Sequence, residues 1–246
     1  SIDETFCFDT FADRVAEVID KTVNVDRLLE LCTVEFSGEQ TEDVVCSGNR
    51  KIAIARDEAF NFMYRENVEA LKRAGEVVFF SPLRDKSLPE ADMVYFPGGY
   101  PELHLAELAA NEGMRQSVRE YCETGGRVLA ECGGMMYLCD TITGDDGKVY
   151  PMAGVLKQGA TMEQMKLKLG YREVRVNGQR IRGHEFHYSR ILPTNEKIPV
   201  IGTIYNAKDM VVDTPVYTYK NVLASYIHFY WGECGMDHFL MLMSQK

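Results

Sequence analysis

The chain has 246 residues, 46% of them apolar, and a formal charge of −10 at neutral pH. This length and content suit one sizeable buried core, or one core with an appendage, and the acidic balance argues against a nucleic-acid partner. No run approaches the roughly 18 apolar residues of a membrane span, and Ser1-Ile2-Asp3-Glu4 lacks the basic and apolar regions of a signal peptide, so a cytoplasmic location without a membrane partner is expected. The seven cysteines, at 7, 32, 46, 122, 132, 139 and 234, contain no C-x-x-C pair. Reduced thiols are expected, rather than a disulfide framework or a cysteine zinc site.

From Thr10 to Cys32 the pattern is helical, with Phe11, Val15, Val18 and Ile19 on one face and a second short helix over Asp26 to Leu31. Ser37 to Arg50 is rich in Gly, Ser, Glu and Asp and reads as a linker. Residues 1–36 therefore resemble the tail of a preceding domain, 37–50 a linker, and 51–246 the body. In the body, Lys51–Ala55 reads as a strand, Phe62–Ala74 as a helix ended by Gly75, and Glu76–Phe80 and Met93–Phe96 as strands. Helices follow over Glu102–Ala110 and Met114–Cys122, then a strand over Arg127–Ala130. This alternation predicts an α/β fold of three layers, a mostly parallel sheet with helices on both faces and right-handed crossovers. Sites in such folds lie at the carboxyl ends of strands, where Arg56, Gly98 and Cys132 fall. Past Tyr150 the residues become β-branched and aromatic. Lys168–Val176, Gly183–Tyr188, Val200–Tyr205, Val216–Tyr219 and Val222–Tyr226 read as antiparallel strands, and Asp237–Ser244 as a last helix.

Chemistry concentrates in three segments. Ala130-Glu131-Cys132-Gly133-Gly134 is a strand turning sharply into the apolar segment Met135–Leu138. That turn puts a thiol at the sheet edge against a helix N-terminus, whose N–H groups are expected to favour thiolate, and makes Cys132 a candidate nucleophile. Read alone, the five residues also fit a small buried cysteine. Phe96-Pro97-Gly98-Gly99-Tyr100-Pro101-Glu102 supplies flexible backbone donors, and Ala224-Ser225-Tyr226-Ile227-His228 supplies a base. His184 and His187 flank Glu185, but their spacing matches neither a two-histidine strand face nor H-E-x-x-H, and no metal is expected. His104 reads as a packing or helix-surface residue. Arg56, Asn61, Tyr64 and Arg65 follow the first strand and face either solvent or an anionic substrate. Met135, Met136, Met162 and Met165 read as core filling.

Four of these motifs, PGGYPELHLAELAANEGMR, GGRVLAECGGMMYL, RGHEFHYS and ASYIHFYWG, stand in order between Lys51 and Leu240. Together they resemble the glutamine amidotransferase half of the cobyrinate a,c-diamide synthase family. Thr10–Cys32 resembles the closing helices of that family's N-terminal ATP-binding domain. The rest of that domain has no counterpart, since no G-x-x-x-x-G-K-[ST] loop occurs in the chain. The sequence is thus expected to be a piece of a longer protein, or to work with a partner on another chain.

The resemblance implies a class I-type, flavodoxin-like amidotransferase fold. It implies that Cys132 attacks the side-chain amide of glutamine, ammonia leaves, and water cleaves the thioester. It also implies that ATP, with Mg²⁺, activates corrinoid carboxylates in the absent domain, so that this chain itself holds no cofactor and at most hydrolyses glutamine. His228 is the base carried over, and a histidine with its ordinary pKa of about 6.5 suits both proton transfers. Gly99 and Gly133 supply oxyanion donors, with Gly98 and Tyr100 shaping the glutamine pocket. Where many amidotransferases of this class carry H-P-E, this chain has His228-Phe229-Tyr230, which leaves the third catalytic member unassigned. His187, with Glu185, in Glu185-Phe186-His187-Tyr188 is the rival base. The alternatives in function are amidation of another tetrapyrrole such as nickel-sirohydrochlorin or hydrogenobyrinate, a free-standing cysteine hydrolase, and a non-catalytic docking module.

Overall fold

A computed structural model describes residues 8–34 and 49–232. The expected helix Asp237–Ser244, most of the expected linker, and Cys7, Cys46 and Cys234 lie outside the described residues. The chain divides into two compact units, Ser1–Asp43 and Val44–Lys246. The first holds α1 (Phe8–Thr22) and α2 (Val25–Cys32), the latter capped by the Asn24 side chain, which accepts from the Arg27 N–H at 2.9 Å. Phe11, Val15, Val18 and Ile19 recur on one face of α1 and are all substantially exposed.

The second unit is built on six strands in the order β12-β13-β4-β3-β1-β2. These are β1 (Arg50–Ala55), β2 (Gly75–Phe80), β3 (Met93–Phe96), β4 (Arg127–Glu131), β12 (Val216–Tyr219) and β13 (Val222–Ser225). All neighbours pair in parallel except β12 with β13. The central strands are apolar on both faces, as a doubly covered sheet requires. Ala53, Val94, Phe96, Val128 and Ala130 face one core, together with α4 (Leu105–Ala110), α5 (Glu112–Glu123) and α6 (Gly133–Leu138). Ile52, Ile54, Met93, Tyr95 and Leu129 face the other, with Ala70 and Leu71 of α3 (Arg65–Ala74). That second face is completed by an antiparallel sheet ordered β11-β8-β9-β14, comprising β8 (Lys168–Val176), β9 (Gln179–His187), β11 (Thr203–Asn206) and β14 (Ile227–Tyr230).

Several expectations need correction. Val222–Ser225 is not purely antiparallel, because it inserts beside β4 in parallel register, Ser225 opposite Glu131. The first body helix starts at Arg65 rather than Phe62. Asp57 holds the preceding loop, its carboxylate accepting from the N–H groups of Ala59, Phe60 and Leu83, and Phe62 donates its N–H to the Gly98 carbonyl at 3.0 Å. A small sheet of β5 (Cys139–Thr143), β6 (Val149–Pro151), β7 (Leu156–Thr161) and β10 (Arg190–Ile191) has no counterpart in the sequence reading. Of the four methionines read as core, Met165 is 56% exposed.

Candidate active site

The tip of β4 carries the most strained residue of the site. Cys132 has φ 46° and ψ −106°, a conformation an L-residue adopts only when its surroundings impose it. Its N–H donates to the Ser225 carbonyl at 2.8 Å, tying the turn to β13, while its carbonyl accepts from Met136 at the start of α6. Cys132 is 7% exposed, and its Sγ lies 3.7 Å from the Phe186 carbonyl. Burial, and after it the carboxylate of Glu102, push this thiol up to about 12, against the lowering effect of the Gly133 N–H. The expectation that the helix N-terminus alone favours thiolate is therefore corrected: desolvation outweighs it, and the thiol needs a base. Cys122 and Cys139 are pushed up to about 12 by burial as well. Position, rather than acidity, distinguishes Cys132.

Two glycine-rich backbones meet at this turn. A Cβ on Gly133 would stand 2.7 Å from Pro101 Cδ and 3.2 Å from the Gly99 nitrogen, so the Gly99 and Gly133 peptides approach more closely than any side chain permits. Gly99, at φ 154°, has the Ala59 carbonyl where its own Cβ would be. A Cβ on Gly98 would fall 2.2 Å from Cε1 of His228. The His228 imidazole thus rests on the backbone of the same glycine loop. Tyr100, 47% exposed, joins Gly99, Glu102, Cys132, Met136 and the segment Phe186–Ser189 around a cavity of about 30 Å³. A larger cavity of about 530 Å³ adjoins His187, Tyr188 and Ser189 and is rimmed by Lys166, Lys168 and Arg190.

The two candidate bases differ in how their nitrogens are used. His187 is stacked on Tyr226 at 3.6 Å, its Nδ1 2.7 Å from the Ser189 carbonyl and its Nε2 2.8 Å from Glu185 Oε1. Both nitrogens are thus engaged by oxygens of the protein, one of the backbone and one of a carboxylate. The other oxygen of Glu185 accepts from Arg172 Nε at 2.7 Å and Thr214 Oγ1 at 2.9 Å. Burial alone would raise the Glu185 carboxyl, but hydrogen bonds from His187 and Thr214 and the Arg172 guanidinium bring it down to about 2. His228 is buried with its Nδ1 unpartnered. Burial first, and then the neighbouring His184 and His187, lower its pKa to about 3, so its ring is neutral but a weaker base than the imidazole of ordinary pKa expected from the sequence.

Other residues hold the strand of His228 in place and were not singled out from the sequence. Glu131, the residue before Cys132, accepts from the Phe229 N–H at 3.3 Å and from the Tyr95 hydroxyl at 2.8 Å. Asn67 donates to the Phe229 carbonyl at 2.7 Å and accepts from the Trp231 N–H at 2.9 Å. A carboxyl group and an amide deep in apolar segments were the available signal, since groups of that kind are buried only with partners. Among the remaining candidates, Arg56 lies over the Phe79 ring, Asn61 bonds the Glu58 carbonyl, and Arg65 opens α3. Tyr64 meets His184, and His104 Nδ1 lies 3.8 Å from Glu107. Among the described residues no group of three or more His, Cys, Asp or Glu side chains is placed to hold a metal ion, and no helix is long and apolar enough to cross a membrane.

Residues 51–235, most of the chain, match the CobB/CobQ-like glutamine amidotransferase domain. The chain belongs to that family. It is 35% identical over 231 residues to the cobyrinate a,c-diamide synthase of Salmonella typhimurium, with 89% of this chain and 50% of that protein covered. It is 39% identical over 181 residues to the hydrogenobyrinate a,c-diamide synthase of Pseudomonas aeruginosa, covering 73% of this chain and 41% of that one. The chain spans about half the length of the curated relatives it matches. A crystal structure of a glutamine amidotransferase superposes with TM-score 0.53 at 23% identity, over 79% of this chain and 99% of that one, and shares the α/β fold.

Proposed function

We propose that this amidotransferase unit hydrolyses glutamine through Cys132 and His228. His228 takes the thiol proton as Sγ attacks the side-chain amide carbon, and the resulting oxyanion is held by the Gly99 and Gly133 N–H groups. The protonated imidazole returns its proton to the departing nitrogen, releasing ammonia and leaving a γ-glutamyl thioester. Water, deprotonated by the same imidazole, cleaves the thioester to glutamate and restores the thiol. The observation that carries this reading is the Nδ1 of buried His228, without a hydrogen-bond partner among the described residues, on a ring seated against Gly98, whose neighbour Gly99 packs on Gly133 of the Cys132 turn. His187 is disfavoured because both of its nitrogens are engaged.

Within a whole enzyme the ammonia would amidate the a and c carboxylates of cobyrinate or hydrogenobyrinate, the two substrates named for the relatives. Carboxylate activation would draw on ATP and Mg²⁺ in a further ATPase domain, in the cytoplasm where both are supplied. The residues of this chain do not fit that role, since its sequence carries no P-loop and no cluster of metal ligands occurs among the described residues. Incubating the full-length protein with each corrinoid, glutamine and ATP distinguishes the two acceptors. The glutaminase step is tested with Cys132→Ala, His228→Ala and the double variant. Thiol and imidazole act as one unit, so either single change is expected to cost about as much as both. Near-parental activity in His228→Ala, with loss in His187→Ala, would move the base to His187.

A further inference from the structure

We propose that His184 is a positioning residue for His228, stacked against its imidazole and anchored from behind by the Tyr64 hydroxyl. The inference rests on His228 being the base at Cys132. His184 and His228 stand opposite each other across the β9–β14 pairing, their rings nearly parallel at 17° with centroids 4.8 Å apart. Tyr64 Oη lies 2.5 Å from His184 Nδ1, and Phe62 meets both imidazoles edge-on, at 5.6 Å and 4.6 Å. His228 is thus held between His184 on one side and the Gly98 backbone, with Phe62 at its edge.

The anchor also sets the chemistry of the pair. With Tyr64 donating to Nδ1, His184 is the neutral Nε2–H tautomer. Protons on both rings would place like charges face to face, so a proton on one ring disfavours a proton on the other. The pair therefore takes up one extra proton rather than two, and the stack keeps the His228 ring fixed in place for both proton transfers. The other titratable or charged groups around the pair are His187 on β9, Tyr171 on β8 and Tyr230 on β14. Glu131 lies beneath β14, and exposed Arg182 sits on β9 with Glu173 at 3.8 Å. Among the described residues only His184 stacks on the His228 ring.

The test uses ¹³Cε1-histidine NMR on the chain, which has five histidines, together with glutaminase pH profiles of the protein with its synthase portion. His184→Phe keeps a flat ring in the stack but removes the protonatable nitrogens and the Tyr64 bond. Tyr64→Phe removes only the anchor. In His184→Phe the protonation midpoint of His228 is expected to move up, and the acid limb of kcat/KM with it. In His184→Ala, where the ring's support is lost too, kcat is expected to fall on the order of tenfold with KM within about twofold. An unmoved His228 midpoint together with an unchanged profile would overturn the proposal, as would parental kcat in His184→Ala. The NMR titration reads the coupling whichever histidine serves Cys132, so its failure is separable from failure of the base assignment, which His228→Ala addresses.

Discussion

At the scale of single residues, function depends on groups whose neighbours leave them no alternative placement. The absence of a side chain at Gly98 is what lets His228 reach the glycine loop, because a Cβ there would lie 2.2 Å from Cε1 and 2.9 Å from Nδ1. Gly98→Ala is therefore expected to displace the imidazole while costing about 1–3 kcal/mol of stability by overpacking, and to lower glutaminase kcat about a hundredfold. Steady-state kinetics beside a thermal melt measure both. A folded Gly98→Ala with parental kcat would mean that this ring does not serve the thiol. The identity of Cys132 as the candidate nucleophile was readable from strand, turn and glycine spacing, but its environment was not. The chain order that implied an activating helix terminus carries no information about burial, and burial dominates the thiol's pKa.

At the scale of elements, the strand of His228 is secured by polar side chains from two other elements. Replacing Asn67 by Ala would remove its hydrogen bonds to the Phe229 carbonyl and the Trp231 N–H, at a cost of about 2–4 kcal/mol in urea unfolding. A loss below about 0.5 kcal/mol would show that β14 is held by other means. Glu131 introduces a pH dependence. Burial raises its carboxyl from 4.5 to about 8, against hydrogen bonds from Tyr95 and Phe229. The folded state therefore holds a proton that the unfolded chain has lost between these values, and its contribution is full below about pH 4.5 and lost as pH rises through 8. Glu131→Gln is expected to remove a decline on the order of a few kcal/mol between pH 5 and 8.5, and equal slopes in parent and variant would contradict it. Elements with a strong period were legible, β8 and β12 to the residue. Those formed by tertiary pairing were not: β5 is short and half polar, β6 is three residues ending at Pro151, and β13 reads like the hairpin partner of β12 although β4 claims its other edge.

At the scale of the molecule, the amidotransferase unit has apolar cores on both faces of its central sheet, whereas the apolar residues of α1 and α2 are exposed. The fold class was legible because βα alternation leaves few topologies, and the candidate site because its motifs fall at strand ends. The clamp on β14 and the histidine stack were not, since they join residues such as Asn67 and Phe229, or Tyr64 and His184, that are more than a hundred positions apart. The proposed chemistry rests on one thiol, that of Cys132. The most direct measurement is labelling of the chain with a glutamine-like diazo-ketone followed by peptide mass spectrometry. The expected result is modification of Cys132 alone among the seven cysteines, abolished by excess glutamine. Label on Cys122 or Cys139 with Cys132 unmodified would contradict the account.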